Sequence, residues 1–214
     1  MITKTQRKWM LMAIGIFLFT SLLAVTLNSL RYGWHWGYSI SRYVGLETWS
    51  AVLFALGNIG VAALFGKYLY AVSETWQMSR WFYVVIVVTA MALLGLSACP
   101  IGYFDLPGAN YGSSAPSQIH QICSRLMFAC MLLMAFVWQL SGKVRAKTRC
   151  FCAVFVVYGV ICMVAYLMEW DWFFRTLLVF ESAYILGFMV LCWRLQGNKT
   201  NQERISHGRP EARN

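Results

Sequence analysis

Charged residues are scarce in this chain of 214 residues, and acidic ones are the scarcest. Only 12% of the residues are charged, with 8 Asp and Glu against 18 Lys and Arg, while 59% are apolar and 16% are aromatic. An ordinary soluble domain carries about 25% charged residues, so a soluble domain is excluded. The composition is typical of a protein that lies within a lipid bilayer.

Six long apolar runs make up most of the chain, and two of the connections between them are long while the others are short. Each run is long enough to cross a hydrocarbon core, which takes about 20 helical residues. The runs cover 9–27, 48–72, 81–99, 119–140, 150–167 and 176–195. We predict an all-α integral membrane protein, a six-transmembrane-helix bundle over residues 1–195. A basic cytoplasmic tail follows at 196–214; it is polar and lacks aromatic residues, and we expect it to be disordered or to lie on anionic headgroups.

The formal net charge of +10 does not indicate nucleic-acid binding, because the basic residues lie at the ends of the apolar runs. With six crossings, most of them fall on one side of the membrane: Lys4, Arg7, Lys8, Arg80, Lys143, Arg145, Lys147, Arg149, Arg194, Lys199, Arg204, Arg209 and Arg213. The positive-inside rule places that side, with both termini, in the cytoplasm. We therefore expect an integral protein of the plasma membrane or of a bacterial inner membrane.

Histidine is also rare, and of the three in the chain only His120 lies at the boundary of an apolar run. A zinc hydrolase site needs three protein ligands. His120, Asp105 and Glu181 would supply three, but their spacing does not require it, so we predict no metal and no cofactor. His120 oriented by Asp105 is a reasonable general acid or base. The alternative is a polar anchor at the membrane edge.

Arg125 and Glu181 carry opposite charges inside the fourth and sixth runs. Each lies within about 9 Å of the outer boundary by the helical rise, so a direct or water-mediated pair is expected. Ionisable groups in hydrocarbon mark a site by default, because each is expensive without a partner. Two interpretations stay open. One is a structural clasp between two helices; in the other, Arg125 binds an anionic headgroup or carboxylate and Glu181 acts as base or counter-ion.

The second run carries a stripe of small residues at spacings of three and four: Ala51, Ala55, Asn58, Ala62 and Gly66. These positions lie on one face of a helix. Small residues let a second helix backbone approach closely, and the Asn58 amide can hydrogen-bond across such a contact. The stripe therefore predicts a helix seam.

Two blocks of residues carry a family resemblance. The first begins with Tyr38, Ser39, Ile40 and Ser41 and continues through Gly45, Glu47, Thr48, Phe54, Asn58 and 62–63 to Tyr68 and Tyr70. The second comprises 95–104, His120 and Phe128. Together they resemble the DRAM-like family of damage-regulated autophagy modulators, its relatives that remodel GPI-anchor lipids, and a bacterial membrane family of unknown function. The resemblance implies that Ser41, Arg42, Asp105 and His120 gather at the outer mouth of a six-span bundle.

These observations lead to one main functional hypothesis. An outer-facing polar cavity recognises or remodels a membrane lipid or a lipid-linked headgroup, with Arg125, Arg42 and Ser41 binding the ligand. Glu181, Asp105 and His120 are the candidate catalytic residues, although the sequence leaves open whether the protein is an enzyme. The alternatives are a non-enzymatic scaffold for a partner membrane protein or for a second copy of the chain, and a small transporter. The lack of an internal repeat weighs against the transporter.

Overall fold

The fold is all-helical over the part of the chain that the structure, a computed structural model, describes: residues 3–99, 114–142 and 144–196. The basic tail at 197–214 lies outside these residues. The helices are α1 (Lys4–Tyr32), α2 (Ile40–Val44), α3 (Thr48–Thr75), α4 (Arg80–Ala98), α5 (Ala115–Leu140), α6 (Ala146–Leu167), α7 (Asp171–Arg175) and α8 (Leu177–Gln196).

Six of these helices, α1, α3, α4, α5, α6 and α8, are long and apolar enough to cross a membrane. Many large apolar side chains on them point out of the bundle; Leu22, Leu56 and Val87 are more than half exposed. An apolar exterior of this kind is stable in lipid, not in water. The predicted all-helical fold with six helices of membrane-spanning length and hydropathy is confirmed over the described residues.

The short helices α2 and α7 were not predicted from the sequence. α2 connects α1 to α3, and α7 connects α6 to α8. Because successive long helices run in opposite directions, both short helices lie at one end of the bundle, which we call the α2–α7 end. The start of α1 and the end of α8 lie at the opposite end.

Two long helices begin earlier than their apolar runs because polar residues cap them. At α1 the Gln6 N–H donates to the Thr3 side chain, and the Thr3 N–H donates to the Gln6 side chain. This capping box satisfies two free backbone donors and extends α1 to Lys4. At α5 the Ser114 hydroxyl accepts from the Ser117 N–H at 3.3 Å, and the helix begins at Ala115.

The small residues of α3 pack inside the bundle, where the chain crosses α1 closely. A Cβ at Gly57 would lie 2.7 Å from Cγ2 of Thr20, so only glycine fits there. Ala51, Asn58 and Ala62 are buried. The predicted seam is thus a contact within the chain. The expected hydrogen bond of Asn58 was wrong, because neither polar atom of its buried amide has a partner among the described residues.

A hydrogen-bonded corner fixes α2 against α1 and α3. The Asn28 amide nitrogen donates to the Tyr43 carbonyl oxygen at 2.6 Å and to Ser50 Oγ at 3.0 Å. The Ser50 hydroxyl in turn contacts the Val44 carbonyl oxygen at 2.8 Å. Asn28 and Ser50 are almost fully buried, so breaking this network strands polar groups. The corner therefore holds the residues of α2 in place relative to the long helices.

Candidate functional site

Glu181 lies in the second turn of α8 and attaches that helix to α2. Its Oε2 accepts a hydrogen bond of 2.8 Å from the backbone N–H of Ile40. Ile40 is the first residue of α2, and such an N–H has no partner within its own helix. One carboxylate oxygen is therefore occupied by the backbone, while the other has no protein partner among the described residues.

Ser41 and Arg42 lie next to this contact on α2. The Ser41 and Ser39 hydroxyl oxygens are 2.9 Å apart and share a hydrogen bond. The Arg42 guanidinium lies 3.7 Å from the centroid of the Tyr38 ring, a cation–π contact. The structure thus brings Ser41 to Glu181 and turns Arg42 toward an aromatic ring.

An internal cavity begins at this polar contact and runs down the centre of the bundle. Glu181 and Ser41 line it at the α2–α7 end, and most of the remaining lining is apolar: Phe17, Phe54, Phe65, Met127, Met131 and Phe188. Thr89 also lines it, but its hydroxyl donates to the Val85 carbonyl oxygen at 2.7 Å. The enclosed volume is about 70 Å³, within a cleft of about 880 Å³ that includes its open part. The cavity is therefore narrow, apolar and polar at one end.

Arg125 lies elsewhere, on an exposed face of α5. Its Nε and one terminal nitrogen donate to the Tyr166 hydroxyl at 3.1 and 2.6 Å, and the same terminal nitrogen lies 3.4 Å from Gln121 Oε1. Side chains on a helix point toward its start, so the guanidinium reaches the level of Tyr166, one residue before the end of α6. Arg125 therefore extends toward the boundary of the bundle.

The expected direct pair between Arg125 and Glu181 is wrong. Each side chain has other partners, and the described residues contain no ion pair between them. The reason is the direction around α5. Met127 lines the internal cavity, and Arg125 is two residues away, which is about 200° around a helix. Similar depth therefore did not bring the two charges together.

Arg125 instead lines a second, open pocket of about 610 Å³ together with Tyr166, Leu167, Glu169, Asp171 and Phe174. Asp171 forms an ion pair of 2.8 Å with Arg175, and hydrogen bonding to this carboxylate raises the pKa of Arg175. Arg125 and Glu169 have no such ion pair within the described part of the chain. The pocket thus presents one cation and one carboxylate that are not paired with each other.

His120 is buried at the junction of α4 and α5 and lines neither pocket. Its Nδ1 lies 3.0 Å from the Leu96 carbonyl oxygen and 2.8 Å from that of Cys99. Because carbonyl oxygens only accept, this nitrogen carries the proton. His120 thus caps the free carbonyl groups at the end of α4. Asp105, its expected partner, lies outside the described residues, so the catalytic role of these two residues stays a prediction.

Sequence reasoning missed Tyr166, Glu169 and Asn28. Tyr166 appeared as one aromatic residue within an apolar run, and nothing in its spacing indicated that it would bind Arg125. Glu169 did carry a signal, since it is one of only 8 acidic residues in the chain. It lies in a connection between two apolar runs, and no motif there distinguishes it from the other acidic residues.

The described residues contain no group of three or more His, Cys, Asp or Glu side chains that would hold a metal ion. Comparison with known proteins finds no matching family model, no matching curated protein and no matching solved structure. The site must therefore be interpreted from its own geometry.

Proposed function

We infer that this membrane protein binds a lipid or lipid-linked molecule, with the polar end of the ligand between α2 and α8. The observation that carries the proposal is the position of Glu181, a carboxylate at one end of a cavity that is otherwise mainly apolar. Such a cavity matches an amphiphile, whose chain avoids water and whose polar end seeks hydrogen bonds.

The polar end of the cavity favours a ligand that donates hydrogen bonds. The carboxylate oxygen of Glu181 that Ile40 leaves free is an acceptor. The linked hydroxyl groups of Ser41 and Ser39 add a further polar contact. A carboxylate accepts more strongly than a neutral oxygen. A hydroxyl, amide or ammonium group on the ligand would therefore be recognised.

The apolar part of the cavity accommodates a chain through flexible side chains. Along α3 its lining extends from Phe54 to Leu69, about 22 Å at the rise of a helix. A cavity of about 70 Å³ over this length is narrower than an acyl chain requires. Met127 and Met131 line it, and methionine adapts its shape readily because it is unbranched. Ligand entry is expected to move these side chains.

The charge pattern supports an orientation for this site. Basic residues concentrate at the end opposite to α2 and α7, and the positive-inside rule assigns that end, with both termini, to the cytoplasm. The polar mouth of the cavity then opens on the outer side of a plasma membrane or a bacterial inner membrane. The resemblance to the DRAM-like family and its lipid-remodelling relatives supports the same ligand class.

Native mass spectrometry of the detergent-purified chain, with identification of bound lipid, tests this proposal. Glu181→Gln keeps the shape of the side chain but loses the charge-assisted bond, and we expect about fivefold less bound amphiphile. The control is Glu74→Gln, which alters an exposed carboxylate on α3 that accepts from the Tyr70 hydroxyl. A wild-type protein without bound lipid would contradict the proposal and favour the scaffold or transporter alternatives. Equal occupancy in Glu181→Gln would contradict the role of the carboxylate.

A further inference from the structure

The open pocket of Arg125 is a second site, separate from the cavity and different in chemistry. Arg125 lies on the side of α5 that faces α6, whereas the internal cavity meets α5 at Met127 and Met131. The volume of the Arg125 pocket, about 610 Å³, falls within the range of about 300–1,000 Å³ that is typical of small-ligand sites. Nothing in the cavity proposal uses this pocket.

The cationic part of the pocket is preorganised to bind a phosphate. The Tyr166 hydroxyl accepts two hydrogen bonds from Arg125 and leaves its own proton free to donate. The second terminal nitrogen of Arg125 has no partner among the described residues. Arginine and a neighbouring hydroxyl together donate to two oxygens of a phosphodiester, a geometry that suits the planar guanidinium.

The acidic part of the pocket lies nearer to water. Tyr166 is in the last turn of α6, while Glu169 follows the end of that helix and Asp171 begins α7. Phe174 adds an aromatic wall, with its ring centroid 5.6 Å from that of Tyr166. A carboxylate and aromatic rings together attract an ammonium group. Toward the α2–α7 end of the bundle, the pocket therefore presents the positive charge of Arg125 first and the negative charge of Glu169 second.

The backbone at Glu169 makes one substitution informative. Glu169 has φ +53°, close to the φ +50° of Gln77 after α3, and this left-handed conformation is the one that glycine usually occupies after a helix. A side chain in this conformation strains the backbone. Glycine would relieve this strain but would remove the carboxylate from the pocket.

We propose that the pocket of Arg125, Tyr166 and Glu169 binds the headgroup of a zwitterionic phospholipid. The phosphodiester lies on Arg125 and the Tyr166 hydroxyl, and the terminal ammonium lies between Glu169 and Phe174. The charge order of the pocket matches that of the headgroup, in which the phosphate is nearer to the acyl chains and the ammonium is nearer to water. Arg125 and Glu169 line one pocket without pairing, so a ligand that carries both charges neutralises both.

Affinity measurements on the full chain in detergent test the proposal with three probes. These are diheptanoylphosphatidylcholine, the phosphatidylglycerol with the same chains, and glycerophosphocholine, which has the headgroup but no chains. We expect the choline lipid to bind about fivefold more tightly than the glycerol lipid, the upper range for an exposed ion pair. Glycerophosphocholine should bind at least about tenfold more weakly than the choline lipid, because it buries no chain. Equal affinity for the choline lipid and either other probe would overturn the assignment.

Single substitutions test the two charges of the pocket one at a time. Arg125→Gln should weaken the binding of both phospholipids about tenfold, because the phosphate of each loses a charge-assisted hydrogen bond. Glu169→Gln and Glu169→Gly should remove the preference for the choline lipid, and Glu169→Gly should also raise the melting temperature because it relieves the backbone. The matched controls are Arg80→Gln and Glu74→Gln, whose side chains are exposed and line neither pocket.

An unchanged preference in both Glu169 variants would overturn the proposal. So would unchanged affinity in Arg125→Gln. If Arg125→Gln does not fold, the lipid preference of Glu169→Gly tests the proposal by itself, because this variant leaves Arg125 and Tyr166 in place. Failure of this proposal leaves the internal cavity untouched, since the cavity test uses a different ligand and different variants.

Discussion

The two pockets at the α2–α7 end differ in how they treat a charged residue from a spanning helix. The cavity holds Glu181 against a backbone N–H at one end of an apolar channel. The open pocket holds Arg125 on an exposed face of the bundle, where the Tyr166 hydroxyl orients its guanidinium. A charge that is costly in hydrocarbon is thus accommodated in two ways, by a fixed internal partner or by extension to the boundary.

Under the two proposals this difference means a division of roles. The cavity would select its ligand by shape and by one acceptor, and the ligand would be mostly apolar. The open pocket would select its ligand by the order of its charges, and the ligand would carry complementary charges. The following predictions test whether the two pockets are independent.

The largest effect should come from the corner that positions α2. Asn28→Ala leaves the buried Ser50 oxygen without its donor and removes the shortest hydrogen bond to the Tyr43 carbonyl oxygen, and should lower the free energy of unfolding by about 2–3 kcal/mol. Thermal unfolding in detergent measures this loss. The control is Ser29→Ala, which removes an exposed hydroxyl that bonds only to the Thr26 carbonyl. If Asn28→Ala abolished headgroup binding at Arg125 in the folded protein, the pockets would not be independent.

The next largest effect should follow from filling the cavity. A Cβ at Gly66 meets no heavy atom within 4 Å, and Gly66 lines the cavity. Gly66→Leu should therefore fold, and should reduce cavity occupancy at least about tenfold through loss of apolar burial. Gly15→Leu is the matched control, because a Cβ at Gly15 also meets nothing and Gly15 does not line the cavity. Mass-spectrometric occupancy that is equal in both variants would contradict the cavity proposal.

A smaller effect, on headgroup binding in the open pocket, should follow removal of the Tyr166 hydroxyl. Tyr166→Phe keeps the ring but loses both hydrogen bonds that orient Arg125. We expect about fivefold weaker binding of diheptanoylphosphatidylcholine, equivalent to about 1 kcal/mol. Cavity occupancy should stay unchanged in the same sample. Loss of both ligands would show that Tyr166 acts through the fold.

The smallest expected effect is the response to salt. Raising ionic strength from low to high should weaken headgroup binding about two- to threefold, because Arg125 and Glu169 are exposed to solvent. The cavity ligand should be insensitive, because its contacts are buried and mainly apolar. Titration of both ligands over a salt series distinguishes the pockets without any substitution.

The sequence predicted the six long helices well because bilayer thickness sets a minimum length for each apolar run. It predicted α2 and α7 poorly because five-residue helices have no measurable periodicity. It placed Arg125 and Glu181 at similar depth through the helical rise, but rise does not give the direction around the bundle. Direction depends on which helices are neighbours, and that is decided by close contacts such as Gly57 against Thr20.

His120 shows the same limit. Its position at the start of an apolar run left two interpretations open, a general acid or base and a polar anchor at the membrane edge. The backbone of α4 ends beside it, and two carbonyl oxygens there occupy its Nδ1. A sequence of residue types does not reveal where the free carbonyl groups of another helix will lie.

The most direct test of the account counts the lipids bound to single molecules by native mass spectrometry, in the wild type, Gly66→Leu, Arg125→Gln and the double variant. Independent pockets predict two bound lipids of different classes in the wild type, loss of one class in each single variant, and loss of both in the double variant. Effects at separate sites add in this way. Loss of both classes in either folded single variant would contradict the account.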